Sequence, residues 1–320
     1  MRVLITGVAG FVGLALAARL RAEGAEVTGL GLEAPPGWAA GALGAVDFHR
    51  IDVTDAAALS ACVAASRPEV IVHAAAMTPD AAREAAGDAA RVAAVNVGGT
   101  ANVLEAAAAA GVRRVVHVSS VAVYGRTIAE APRLSEAATA CAPATLYALT
   151  KHAAERLALR LGTVHGVEVA APRLGVAWGP WEHRTPARPL PSPPHQIMAL
   201  ARRGMTAQVP PGTLAPLIFV DQAAEALARL THGPLPEGGV VNVGASALTD
   251  LARLAGWIAQ ASGASRPGGP VALLATNRPP MDGARLAALT GMDPGAATPA
   301  QVAAWIDWIA ALPDPDAPFA

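Results

Sequence analysis

The sequence predicts an α/β fold built on a doubly wound parallel sheet. Three observations carry this expectation. Between Arg2 and Arg173, short Val/Ile-rich runs alternate with longer Ala- and Leu-rich stretches. Gly7-x-x-Gly10-x-x-Gly13 joins the first apolar run to the first helical stretch. Further on, a serine pair closes one apolar run, and Tyr147 and Lys151 stand four apart on the helix that follows.

Taken in order, Arg2 to Thr6 reads as a strand, and Phe11 onward as an apolar helix. Glycine lets the backbone turn tightly between them and approach a pyrophosphate, which then sits on the helix N-terminus. Ala25 to Leu30 is the second strand. Its end normally carries an acid for the adenosine ribose hydroxyls; here that place is Gly31, and the nearest carboxylate is Glu33. No Arg or Lys lies between Val27 and Phe48 to meet a 2′-phosphate, which tilts the cofactor toward NAD and leaves NADP open. Residues 34–46 form a Gly/Pro-rich loop. Asp47 to Ile51 is a third strand, with a helix over 55–65 after it. Val70 to His73 is a fourth strand, followed by Ala74, Ala75 and Ala76, whose small side chains would let a dinucleotide lie against the strand end. His73 reads as a core histidine rather than a catalytic one. A helix over 88–110 contains Asn96, a poor interior helix former, explained by a buried amide that bonds to neighbouring loops.

Val115 to Val118 reads as a buried strand ending in Ser119 and Ser120. On the next helix Leu146, Leu149, Ala153, Leu157 and Leu161 give apolar positions at helical spacing, and Tyr147 and Lys151 share a face. Lys151 is the only lysine in the chain; every other such position is arginine. A guanidinium is a rigid fork and substitutes poorly for a compact ammonium. A nearby ammonium lowers a tyrosine pKa from about 10, and the phenolate can accept a hydroxyl proton as hydride leaves the same carbon. A serine hydroxyl can hold the substrate oxygen.

Composition bounds the remainder. The 320 residues carry a net charge of −1, with no basic patch interleaved with aromatics, so nucleic acid is not an expected partner. Cys62 and Cys141 form neither a metal-ligand spacing nor a disulfide framework, which fits a reducing cytoplasm. The eight histidines form no His/Cys cluster, so no metal is expected. No apolar run approaches the ~20 residues of a membrane span, and the start lacks the pattern of a signal peptide.

GVAGFVG, HAAA, NVGGTANVLEA, SSVAVYG and YALTK, in that order and spacing, resemble the extended short-chain dehydrogenase/reductase family of NAD-dependent epimerases, dehydratases and sugar dehydrogenases. The resemblance covers residues 1 to about 245. It implies a Rossmann domain over 1–174 plus 216–242 and a smaller C-terminal α/β substrate domain over 175–215 plus 243–320. It also implies catalysis by Ser120, Tyr147 and Lys151. The cofactor would lie on Gly7, Gly10, Phe11, Val12, Gly13, Glu33, Asp52, Val53, Ala74, Ala75, Ala76, Asn96, Tyr147, Lys151, Pro172 and Leu174. Substrate would meet Thr78, Ser120, Val121, Tyr147, Arg173, Arg184 and Arg188. Family members commonly pair as homodimers through the catalytic helix and the one near 88–110.

Three departures bear on the substrate. Family dehydratases carry an Asp-Glu pair after the catalytic threonine; here stand Val121 and Ala122, which cannot act as acid and base. Many nucleotide-sugar epimerases carry an asparagine where this chain has Val176, and a diphosphate-gripping arginine where it has Ala215. Losing such a contact costs ~1.5–3 kcal/mol. The expected activity is therefore hydride transfer between a nicotinamide cofactor and a secondary alcohol carbon of a sugar, sugar acid or similar polyol. The alternative is a nucleotide-sugar epimerase with tightly held NAD. A non-catalytic dinucleotide sensor would have no use for the Tyr-Lys pair.

Overall fold

The structure is a computed structural model and describes residues 1–44, 46–272 and 278–320. Eight strands form the main sheet. In chain order they are β1 (Arg2–Thr6), β2 (Glu26–Gly31), β3 (Asp47–Arg50), β4 (Val70–His73), β5 (Arg114–His117), β6 (Ser119–Ser120), β7 (Glu168–Leu174) and β8 (Val240–Val243). Their spatial order is β8-β7-β5-β4-β1-β2-β3, with β6 continuing the line of β5 beside β7, and every pairing is parallel. The inner strands β1, β4, β5 and β7 are buried along most of their length, which is why they read as continuous apolar runs instead of alternating, whereas the edge strand β3 is largely exposed.

Five helices cover the two faces. On one side α1 (Phe11–Ala22) packs against α5 (Val220–Leu230). On the other, α2 (Ala56–Ser66), α3 (Gly99–Ala109) and α4 (Leu146–His165) pack side by side. Asp55 caps α2 and Thr145 caps α4 by accepting amide hydrogens of the first turn. Gly166, in the left-handed conformation, ends α4. Chain order reverses between β1 and β4, and ligands of open α/β sheets bind at that crevice, beyond the strands' carboxyl ends.

Several expectations need correction. Residues 34–46 are not a plain loop: Gly37–Ala39 and Ala40–Leu43 are helical turns, because Ala39 and Leu43 are buried against α1; Ala45 lies outside the described residues. The helix over 88–110 is interrupted by a π-helical turn at Ala94–Gly98. Val240–Val243 pairs with β7 as an edge strand of the main sheet, so the sheet runs one residue past the expected boundary at 242. The two proposed units also interlock. Leu286, from the helix Ala284–Thr290, packs in the core under the main sheet, whereas Leu217 and Phe219 pack with Trp178 and Trp305 on the C-terminal side. Apolar surface, not chain order, sets these boundaries.

Two histidines lie inside the sheet. His73 is satisfied by Thr6 Oγ1 at 2.7 Å and Thr100 Oγ1 at 3.1 Å. Its neighbour His117 is 1% exposed, and neither ring nitrogen has a partner among the described residues. Burial, and then the Lys151 charge, push His73 down to about 3 and His117 well below 6.5. Below pH 6.5 the unfolded chain therefore binds protons that the folded one refuses, and stability falls as pH falls. His117→Leu removes two unsatisfied polar atoms. Its urea midpoint should match or exceed the wild type at pH 7 and fall less between pH 7 and 5; a midpoint lower at both pH values would contradict this.

Candidate active site

The glycine turn sits at the crevice. Gly7 has φ 71°, which glycine adopts without strain, and a Cβ there would meet the Ala75 backbone at 2.8 Å. A Cβ at Gly13 would lie 2.2 Å from the Gly7 carbonyl oxygen. Both positions are closed to any side chain. Gly10 begins α1 without a side-chain cap, so the first-turn amides around Phe11, Val12 and Gly13 are left for an anion. Thr6 Oγ1 accepts the Ala75 amide, which fixes Ala74, Ala75 and Ala76 beside this cradle. These features fit the pyrophosphate of a dinucleotide. At the adenosine end, Val53 is buried against Gly99, and Asp52 is ion-paired with Arg91. Glu33 is exposed past the end of β2.

Ser120, Tyr147 and Lys151 converge at the ends of β6 and β7. Ser120 Oγ accepts the Ala122 amide at 3.1 Å, leaving its proton available. Lys151 is 4% exposed and its ammonium donates to the Val118 carbonyl oxygen. Burial lowers Lys151 to about 8, against the pull of Glu155. Burial also raises the Tyr147 phenol, with Ser120 and the Arg188 guanidinium acting the other way. The Lys151 ammonium is directed at the Val118 carbonyl rather than at the phenol. Arg188 is the positive group that acts on the phenol.

Four expected site residues are otherwise engaged. Arg173 donates from Nε (3.0 Å) and Nη2 (2.7 Å) to the wholly buried Glu155 carboxylate, so it is not a free substrate ligand. Asn96 gives its amide to the Met77 backbone and to Thr150 Oγ1, so it braces a loop against α4 and has no hydrogen left for a cofactor. The π turn aims it there. Val121 is buried among Val123, Tyr124, Leu134 and Met281, which removes its side chain from the substrate set. Thr78 donates its hydroxyl to the Ala187 carbonyl at 3.0 Å. Pro172 is buried within β7 and Leu174 half-buried at its end. Arg184 is exposed and makes no ion pair among the described residues.

The sequence reading missed two carboxylates. Glu155 follows Lys151 by four on the same helical face, a signal that was available; besides Arg173 it accepts from Ser119 Oγ at 2.7 Å. Glu182 is 2% exposed and accepts from Arg188 Nη2, the Ser192 amide and Ser192 Oγ at 2.6–2.7 Å. Nothing local marks it. It sets Arg188 over the Phe11 ring, 5.3 Å from guanidinium carbon to centroid, so the segment 179–192 closes across the cradle. Trp181, at φ 70°, packs with Trp38 and Trp308 in the same closure.

The family model of the NAD dependent epimerase/dehydratase family matches residues 3–244. The chain belongs to this family. The UDP-glucose 4-epimerase of Mycolicibacterium smegmatis is 42% identical over 131 residues, covering 39% of this chain and 41% of that protein. The 3-diazoavenalumate denitrifying reductase of a Streptomyces species is 37% identical over 185 residues, covering 52% of this chain and 57% of that protein. This chain therefore spans well under two thirds of either relative. Among solved structures, Thermus thermophilus UDP-glucose 4-epimerase in complex with NAD has a TM-score of 0.77 at 25% identity, covering 98% of this chain and all of that one. The Thermotoga maritima UDP-glucose 4-epimerase with UDP-glucose superposes with a TM-score of 0.82 at 18% identity, over 97% of this chain and 99% of that one, a likeness of fold.

Breaking a buried ion pair from one side strands a charge and costs roughly 3–5 kcal/mol. Glu155→Gln should therefore lower the unfolding free energy by about that much, and adding Arg173→Met should restore part of it. Equal stability of Glu155→Gln and wild type would show the pair to be dispensable.

Proposed function

We propose that this protein is an oxidoreductase that transfers hydride between NAD and a secondary alcohol carbon of a sugar, sugar acid or related polyol. The observation that carries this is the convergence of Ser120, Tyr147 and Lys151 beside the glycine cradle at the strand-order reversal. Bound there, NAD supplies the hydride acceptor. Ser120 keeps its proton for the substrate oxygen, and Tyr147 takes the hydroxyl proton. Lys151 would leave the Val118 carbonyl for the cofactor ribose and then lower the phenol pKa. Arg184, which makes no ion pair among the described residues, is the cation left for an anionic substrate group, with Arg188 held beside it by Glu182.

A nucleotide-sugar epimerase is the second reading, favoured by the UDP-sugar epimerases among its relatives. Against it stand Val176 and Ala215, which offer a diphosphate no side-chain hydrogen bond. A homodimer is consistent with Leu149 and Val164, which are 51% and 54% exposed on α4; light scattering that reports a monomer at micromolar concentration would refute it. Cytoplasmic residence accords with two free cysteines, and no helix among the described residues is long and apolar enough to cross a membrane.

Tyr147→Phe keeps the ring and removes the proton carrier, so turnover should fall ~100-fold or more with the fold intact. Lys151→Arg should be severely impaired despite its charge. Near-normal turnover in either would remove this reading. Calorimetric titration with UDP alone separates the two substrates: a dissociation constant in the millimolar range is expected, and a micromolar one would favour the epimerase.

A further inference from the structure

The adenosine end of the crevice carries a cation that chain order conceals. No basic residue lies between Val27 and Phe48, but β3 runs parallel to β2 with Arg50 opposite Gly31. The Arg50 side chain turns along the strand ends, and Nη1 donates to the Leu32 carbonyl oxygen at 2.7 Å. That carbonyl is one residue past Gly31, the place where a ribose-binding acid ordinarily stands in this architecture. Arg50 is exposed and makes no ion pair among the described residues. The guanidinium thus lies at an exposed place beside Leu32, next to the strand end where the adenosine ribose is expected.

The carboxylate nearest Arg50 in sequence is already matched. Asp52, the nearest acid in sequence, is neutralised by Arg91 and by the Thr54 amide and hydroxyl. Gly31 puts no carboxylate at the strand end to repel a phosphate. Among the described residues Glu33 forms no ion pair with Arg50, although it lies two residues past Gly31. A guanidinium presents paired donors in one plane and binds a phosphate monoester through two of them.

We infer that Arg50 is a binding residue for the 2′-phosphate of NADP, so that the crevice accepts NADP as well as NAD. The inference rests on the dinucleotide reading of the crevice. Glu33 serves the ribose hydroxyls when the phosphate is absent, and Arg50 serves the phosphate when it is present. Selectivity then depends on one side chain at the end of β3.

Calorimetric binding of NAD and NADP, which differ only in the 2′-phosphate, tests this without turnover. The wild type should bind the two with dissociation constants within ~10-fold of each other. Arg50→Ala should weaken NADP ~10-fold or more and leave NAD within about twofold, and Arg50→Lys should recover part of the loss. Equal weakening of both cofactors by Arg50→Ala would mean that Arg50 only ties down the Leu32 carbonyl, and would overturn the inference. So would NADP binding that Arg50→Ala leaves unchanged, or a wild type that binds NAD but not NADP. A protein that binds neither would remove the dinucleotide reading itself, a result distinct from these.

Discussion

The buried Glu155 carboxylate holds the site together. It lies on α4 one turn beyond Lys151 and accepts hydrogen bonds from Ser119 on β6 and from Arg173 on β7. Two adjacent strands and α4 are thus pinned to one point. A carboxylate taken out of water loses several kcal/mol of solvation, which only a close, multiply hydrogen-bonded cation offsets. The bidentate Arg173 contact meets that requirement. The constraint then extends along the chain: Ser120 follows Ser119, and Lys151 sits a turn before Glu155 with its ammonium on the Val118 carbonyl.

A second carboxylate, Glu182, organises the closure above the crevice. It is buried and fully engaged by Ser192 and Arg188, so it positions a guanidinium without itself reaching the crevice. The chain enters this segment through Trp181 in a left-handed conformation, which costs a non-glycine residue of order 1–3 kcal/mol. Packing of Trp181 with Trp38 and Trp308 is what offsets it. Trp38 belongs to the turn after β2, so the closure rests on the adenosine side of the crevice as well as on the C-terminal helix that carries Trp308.

Much of the main sheet was legible because its signals are local. Strands buried on both faces must be apolar throughout, a glycine turn must be glycine, and a helix must present Tyr147 and Lys151 on one face. What was not legible depends on tertiary partners. Arg173 read as a substrate ligand because its buried partner Glu155 lies 18 positions away. Asn96 was legible as a buried amide bonding to a loop, but the resemblance also put it on the cofactor, and its two amide hydrogens go instead to Met77 and Thr150. No basic residue stands between Val27 and Phe48 in the sequence, yet strand pairing brings Arg50 beside Gly31. The β8 edge strand and the placement of Leu286 likewise follow from which apolar face was left uncovered.

The central claim is that Tyr147 is the proton carrier, and that it is held back until the site is complete. The chain has two tyrosines, Tyr124 and Tyr147, so their phenols can be followed by ultraviolet difference titration near 295 nm. Burial raises both above 10 in the free protein, Tyr124 also donating to Asn242 Oδ1 at 2.9 Å. With NAD bound, one phenol should titrate at least about one unit lower, and Tyr147→Phe should abolish that component while leaving the other in place. Two phenols that both stay above 10 with NAD bound, or a lowered phenol that survives Tyr147→Phe, would contradict the account.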